Sequence, residues 1–478
     1  MLDTECVGLE DAILALSMVG DLSMGQPIDQ SRRTARLAGF LAGACQGEAG
    51  REEVARQVAL LRWSGCTANA EGFMHLLGDD VGGRRAMLSQ TLDAAGLRAM
   101  RKSRPLAEVH CEVSGDIART LGLAPAVELG LRHVFEQFDG QGNPLGLRHP
   151  EIPDVVYQVV LAGDLEILSR VHGLEAALEW ISAQGDRRYP SALVTELVRH
   201  GKDWLDALHQ PEPPPVSAGE RAQVELTLVA DVIDLKLPWL AGYSRQAAEL
   251  ARRAGKLWGL SGTAIDLLGK AALIHGMGRA AVPNRIWNHP GRLLEGDLEQ
   301  VRLVPYWTLR ASGSISGLSA SGQLAAHAYE RLDGSGYFRS LSGDHLQAEQ
   351  RLLAAALAWQ ALRAERPWRP AFSESEAARL LEGEAKEGRF DAGACQAVIA
   401  AARGECGATL PKVASALLSE RETEILRRIS TGASNKEVAR DLGISPSTVR
   451  THVESLFRKL QCSTRAAATL KGLTLGLI

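Results

Sequence analysis

The chain has 478 residues and a formal net charge of −4, enough length for two or three domains with cores of their own and too little positive charge overall for a polycation that coats nucleic acid. Seven cysteines, odd in number and forming no C-x-x-C pair, argue against a disulfide-built secreted scaffold and for a reduced cytoplasmic setting. The start MLDTECVGLEDAIL has no basic segment ahead of a long apolar run, and no apolar run reaches membrane-spanning length, so neither a secretion signal nor a membrane partner is expected.

From the N-terminus onward, apolar residues return at close to the helical period: Ala12, Leu16 and Val19, then Val54, Val58 and Leu61, then Ile265, Leu268 and Ala272. Strand-type alternation is scarce, so the body is expected to be all-α. Two breaks divide the chain. Residues 210–219 are a proline-rich linker, too stiff and too poor in amide donors for helix, and 403–417 is a shorter joint containing Gly and Pro. The expected domains are therefore 1–209, 220–402 and 418–478.

The first two segments read as copies of one another. QSRRTARLA at Gln30 answers to YSRQAAELA at Tyr243, ALLRWSGC at Ala59 to ALIHGMGR at Ala272, and FEQFDGQGNPLGL at Phe135 to YERLDGSGYFRSL at Tyr329. A single length change between the second and third matches keeps all three in register.

The last segment has a different character. From Ser419 onward there are ten Lys/Arg against six Asp/Glu, a basic end on an otherwise acidic chain, as suits a protein that touches DNA with one part only. Ser419-x-x-Glu422 and Ser434-x-x-Glu437 are capping boxes, each opening an apolar helical pattern. Ser445-Pro446 supplies an N-cap with proline at the first helical position, and Gly443 stands at the tight corner before it. Ile425, Leu426 and Ile429, then Val438 and Leu442, then Val449, Val453, Leu456 and Leu460 make three stripes that can close on one core. The opposite side of the third helix presents Ser447, Thr448, Arg450, Thr451, Arg458 and Lys459, polar enough for a major groove. The plainer alternative is a helical hairpin that caps the preceding domain.

The run SNKEVARDLGISPSTVRTHV closely resembles the LuxR-type (GerE-type) helix-turn-helix, over the whole four-helix module. The resemblance implies binding to double-stranded DNA, with Arg450 and Thr451 facing bases and Lys436, Arg458 and Lys459 near phosphates. It also implies a homodimer formed through the fourth helix, roughly Thr464 to Leu475. Glu454 lies one turn beyond Arg450, where a neutral or positive residue would suit a groove better.

HGMGRAAVP at His275, the YERLDGSGYFRSL stretch at Tyr329 and ALRAERPWRP at Ala361 resemble the HD-GYP domain, an all-α fold that hydrolyses cyclic di-GMP with a metal cluster. Through the repeat the likeness extends more weakly to 1–209, giving tandem HD-type domains. The chemistry does not carry over. At the positions where the family has metal ligands, the second copy reads Tyr243, His275-Gly276, Val304, Ala328-Tyr329 and Leu357. The first copy reads Gln30, Arg62-Trp63, His110, Val134-Phe135 and Gly163. A single imidazole in each copy cannot hold such a cluster, so no catalytic residue, metal or other cofactor is expected, and the body reads as degenerate.

His275, Arg279, Arg331 and Arg366 are the candidate ligand-binding residues, for a small anion or a cyclic dinucleotide, with Arg339 and Arg369 nearby in sequence. The plainer reading has His275 as a packed core residue and the arginines exposed and paired with Glu330, Asp333 and Glu365. Trp287, Trp307, Trp359 and Trp368 read either as core or as stacking platforms. The function expected from the whole is a DNA-binding transcription regulator with an inactive sensory or scaffolding body. The alternative is a metal-dependent cyclic di-GMP phosphodiesterase fused to a DNA reader.

Overall fold

The computed structural model describes residues 5–45, 50–211, 222–404, 418–430 and 433–460, together with positions 465, 468 and 477. The chain forms two compact units, Met1–Gly343 with Glu349–Ala408, and Asp344–Ala348 with Thr409–Ile478. No helix among the described residues is long and apolar enough to cross a membrane.

The larger unit is built twice over from the same opening. Helices Leu9–Ser23, Gln30–Ala44 and Arg51–Leu61 in the first half are answered by Leu226–Asp234, Tyr243–Leu257 and Gly262–Ile274 in the second. Their polar contacts recur in the register of the sequence matches. The amide and hydroxyl of Ser31 donate to the buried Asp21 carboxylate at 3.1 and 2.6 Å, and those of Ser244 donate to Asp234 at 2.8 Å each. The Gly65 amide donates to Ser114 Oγ and the Gly278 amide to Thr308 Oγ1, both at 3.0 Å. Glycine is required at this turn, because a Cβ at Gly278 would lie 2.0 Å from the Val304 carbonyl oxygen and one at Gly65 2.4 Å from that of His110.

The helical expectation holds, with one short ribbon added to it. Each half begins with a three-residue strand, β1 (Cys6–Gly8) and β2 (Gln223–Glu225), and the two pair antiparallel with Cys6 opposite Glu225. Strands this short show no alternation to read, and each finds its partner far away in sequence. The ribbon is one tie between the halves. Another is a buried ion pair, Lys236 Nζ to Asp80 Oδ2 at 2.6 Å. Asp80 also accepts from the Asn284 amide at 2.6 Å, and Asn284 Nδ2 donates to the Lys236 carbonyl at 2.9 Å. Paired and hydrogen-bonded, these charges are tolerated in the interior, and the two halves share one packed body.

The smaller unit carries helices Glu420–Ser430, Asn435–Leu442 and Pro446–Lys459. Each start is capped as the sequence indicates. Ser419 and Glu422 exchange side-chain-to-amide bonds, Ser434 and Glu437 do the same, and Ser445 Oγ accepts from the Thr448 amide. Gly443 turns the corner at φ +66°. Leu418, Ile425, Leu426, Ile429, Val438, Val449, Leu456 and Leu460 close one small core. The fourth helix expected over 464–475 lies largely outside the described residues.

Candidate functional site

The third helix of the smaller unit buries Val449, Val453 and Leu456. By helical spacing this turns Ser447, Thr448, Arg450, Thr451 and Arg458 outward, and all five are exposed, as is Lys436 on the second helix. The surface is not a row of free side chains. Ser447 and Thr448 bond to the Ser445 cap hydroxyl at 2.7 and 2.8 Å, and Thr451 Oγ1 donates to the Ser447 carbonyl. Arg450 Nε donates to Glu454 at 3.0 Å, with both side chains well exposed. Such a pair contributes little, so Arg450 can leave it for a base edge at small cost.

Lys459 is placed differently from Arg458. Its amine lies 2.9 Å from Glu422 Oε2, and Ser455 Oγ donates to the other carboxylate oxygen at 2.8 Å. Burial pushes the Glu422 carboxyl up, but Lys459, the Ser419 amide and the Ser455 hydroxyl outweigh it and hold it down at about 2. Lys459 is thus committed to the module's interior, and a phosphate contact would have to share its amine with Glu422.

In the larger unit each half encloses a cavity at the equivalent place. The second, of about 260 Å³, is lined by the positions where metal ligands are missing, Tyr243, Val304, Ala328, Tyr329 and Leu357, together with Arg279, Arg331 and Arg366. The three arginines grouped as ligand-binding candidates in the sequence all line this one space. His275 is fully buried beneath it. Its Nδ1 lies 2.6 Å from the Ala272 carbonyl, so that nitrogen carries the proton and Nε2 presents the lone pair. That lone pair accepts from Arg279 Nη2 at 2.7 Å. Burial first and Arg279 second hold the imidazole well below its usual pKa, neutral throughout the physiological range. The same guanidinium donates to the Tyr329 hydroxyl at 3.1 Å and sits over the Tyr243 ring. A fixed organic cation thus occupies the one imidazole lone pair on which a metal would depend.

Aromatic rings wall the rest. Arg366 lies over Trp239 at 4.5 Å, Trp239 meets Trp368 edge-on, and Tyr329 stacks on Tyr337 at 5.3 Å. Trp287 and Trp368 line the cavity, whereas Trp359 is packed in the core. Trp239 and Tyr337 were missed in the sequence, and Trp239 could have been found from its place just ahead of the Tyr243 helix. Arg339 and Arg369 stay outside, the latter donating to the carbonyls of Ala361 and Pro370. Two of the acids offered as partners for the arginines, Glu330 and Asp333, are engaged elsewhere. Glu330 accepts from the amides of Arg339 and Leu341, and Asp333 from Ser335.

The first-half cavity, about 250 Å³, is lined by Arg62, Trp63, His110, Val134 and Phe135 among others. Here a guanidinium again stands among the vacated positions. Arg62 Nη2 donates to Gln30 Oε1 at 2.9 Å and Thr34 Oγ1 at 3.1 Å, with its plane over Trp63. A Cβ at Gly163 would come within 1.8 Å of Arg62 Nη1, so a ligand side chain there and this arginine are incompatible. Among the described residues no three His, Cys, Asp or Glu side chains converge as a metal-holding group. The donor sets of neither half fit the metal cluster of the HD-GYP fold.

Residues 227–393 match the model of the HD domain family, and residues 416–471 that of the bacterial regulatory proteins of the luxR family. A 3′3′-cGAMP-specific phosphodiesterase of Vibrio cholerae is 28% identical over 291 residues, 58% of this chain and 63% of that one. The CsgBAC operon transcriptional regulatory protein of Escherichia coli is 52% identical over 54 residues, 11% of this chain and 25% of that one. This chain thus matches less than two thirds of the length of either relative. The crystal structure of a cyclic GMP-AMP specific phosphodiesterase of V. cholerae superposes with a TM-score of 0.59 at 20% identity, covering 83% of this chain and 98% of that one. The chain carries an HD-type domain of the HD-GYP kind and a C-terminal LuxR-type helix-turn-helix.

Proposed function

We propose that this chain is a DNA-binding transcription regulator whose HD-type body does not hydrolyse cyclic dinucleotides and serves instead as a sensory or scaffolding element. The observation that supports this most is the Arg279–His275 bond, which fills the imidazole lone pair with an N–H donor where metal chemistry would need a free one. The Arg279, Arg331 and Arg366 cavity is the place for a ligand. Three guanidiniums and stacked rings suit an anion with a planar base, a cyclic dinucleotide or another nucleotide. The reader binds double-stranded DNA as a homodimer, in the cytoplasm, with Arg450 and Thr451 toward bases and Lys436 and Arg458 toward phosphates.

Thermal unfolding of the full chain tests the ligand. Cyclic di-GMP or 3′3′-cGAMP should raise the body's melting temperature, since a ligand bound by the native state stabilises it, and Arg366→Ala should abolish the shift. No shift with any nucleotide at millimolar concentration would leave the body a scaffold.

The activity of the V. cholerae relative, a 3′3′-cGAMP-specific phosphodiesterase, favours one other reading, a metal-dependent cyclic-dinucleotide phosphodiesterase fused to a DNA reader. Stoichiometric iron or manganese in anaerobically purified protein would support it.

A further inference from the structure

Three soft donors of the first half meet at one point that the degenerate HD chemistry does not use. Cys66 Sγ lies 3.2 Å from Met24 Sδ and 3.6 Å from His110 Nδ1. They come from different places in the chain: Met24 follows the first helix, Cys66 ends a short turn after the third, and His110 lies within Arg104–Thr120. All three are buried, and all three line the first-half cavity. His110 Nε2 lies 2.8 Å from the Arg62 carbonyl. A ring nitrogen tied to a carbonyl carries the proton, so the Nδ1 lone pair faces Cys66. That outer hydrogen bond is the usual support of a metal-ligating histidine. The Trp63 ring meets His110 edge-on and the Phe135 ring packs tilted against it, so the imidazole is fixed in place.

We propose that Cys66, Met24 and His110 form a site for copper(I), independent of the nucleotide reading above. Thiolate, thioether and imidazole are the donors that select this ion, and hard cations such as magnesium or manganese are refused by them. Charge makes the choice sharper. Copper(I) with the Cys66 thiolate is neutral, and so adds no net charge to a buried space. A divalent ion would leave an extra positive charge beside the buried guanidiniums of Arg62 and Arg84, which act on Cys66. An S···N separation of 3.6 Å already matches two ligands of a bent or trigonal ion. The sulfurs must part by a few tenths of an ångström, and Met24 is the flexible partner that can do so. On binding, copper(I) replaces the Cys66 thiol proton, which leaves to solvent, and no electron is transferred. Two further thioethers, Met87 and Met100, line the same cavity and give the ion a soft route inward.

The test is an anaerobic titration of the full chain with copper(I) in competition with bicinchoninate, followed by X-ray absorption. The expected result is one tightly held copper(I) per chain with sulfur and nitrogen neighbours. Cys66→Ser should weaken it by at least about 100-fold and Met24→Leu by roughly 10-fold, while Cys45→Ser leaves it unchanged. Met24→Leu keeps the size and apolarity of the site, so it decides the matter if Cys66→Ser misfolds. Failure of the wild type to take copper from bicinchoninate, wild-type affinity in Met24→Leu and in folded Cys66→Ser, or displacement of the copper by equimolar zinc(II) would each overturn the proposal.

Discussion

Single side chains in this protein carry different weights according to what surrounds them. Arg450 and Lys459 both end in cations on the same helix, yet Arg450 has an exposed partner and Lys459 a buried one. Arg450→Ala should therefore leave the fold unchanged and weaken specific DNA binding by roughly 1–3 kcal/mol, with a smaller loss on random sequence. Fluorescence anisotropy on both DNAs checks this, and equal losses would place Arg450 on the backbone. Lys459→Ala should flatten the salt dependence of binding if the amine also reaches a phosphate. It should in addition destabilise the module by about 2 kcal/mol, because Glu422 loses its charged partner. Glu422 itself sets an acid limit. Its folded pKa of about 2 lies below its ordinary value, so its contribution is present above about pH 4.5 and is lost as pH falls through 2.

At the scale of elements, the helices that announce themselves by local chemistry are the ones legible in the sequence. Capping boxes at Ser419 and Ser434 and the Ser445-Pro446 start all act within a few residues, so spacing reveals them. β1 and β2 have no local signature and were not foreseen. The repeated Ser-to-Asp contacts at the second helix of each half were hidden for another reason: QSRR and YSRQ show the serine but not the aspartate it reaches. Those aspartates carry a testable pH signature. Burial pushes Asp21 up to about 7, against the Ser31 hydroxyl and amide, and Asp234 up to about 6, against Arg279 and Ser244. A carboxyl whose folded pKa is raised takes up its proton on folding, so its stabilisation is present below about pH 4 and is lost as pH rises through 6 and 7. The body should melt at a lower temperature at about pH 8 than at about pH 5. Asp21→Asn should flatten that slope, and a slope unchanged by the substitution would contradict the assignment.

For the whole molecule, the linker at 210–219 suggested separate domains, whereas the two halves share a ribbon and a buried ion pair. Lys236 and Asp80 stand far apart in the chain and no pattern links them, which is why the sequence was silent about their contact. Asp80→Asn should leave Lys236 buried without a countercharge and lower the body's stability by roughly 3–5 kcal/mol in denaturant unfolding. The candidate cavity was half legible. Resemblance located the vacated ligand positions and the arginines, but not the direction in which each guanidinium points. In both halves an arginine stands among the vacated positions, Arg62 in one and Arg279 in the other. A body so filled should do no hydrolysis while the C-terminal module binds DNA. This is measured by incubating anaerobically purified full chain with cyclic di-GMP and 3′3′-cGAMP in the presence of ferrous or manganous ion and looking for linear dinucleotide. None above buffer alone is expected; turnover abolished by His275→Ala would show a working phosphodiesterase instead.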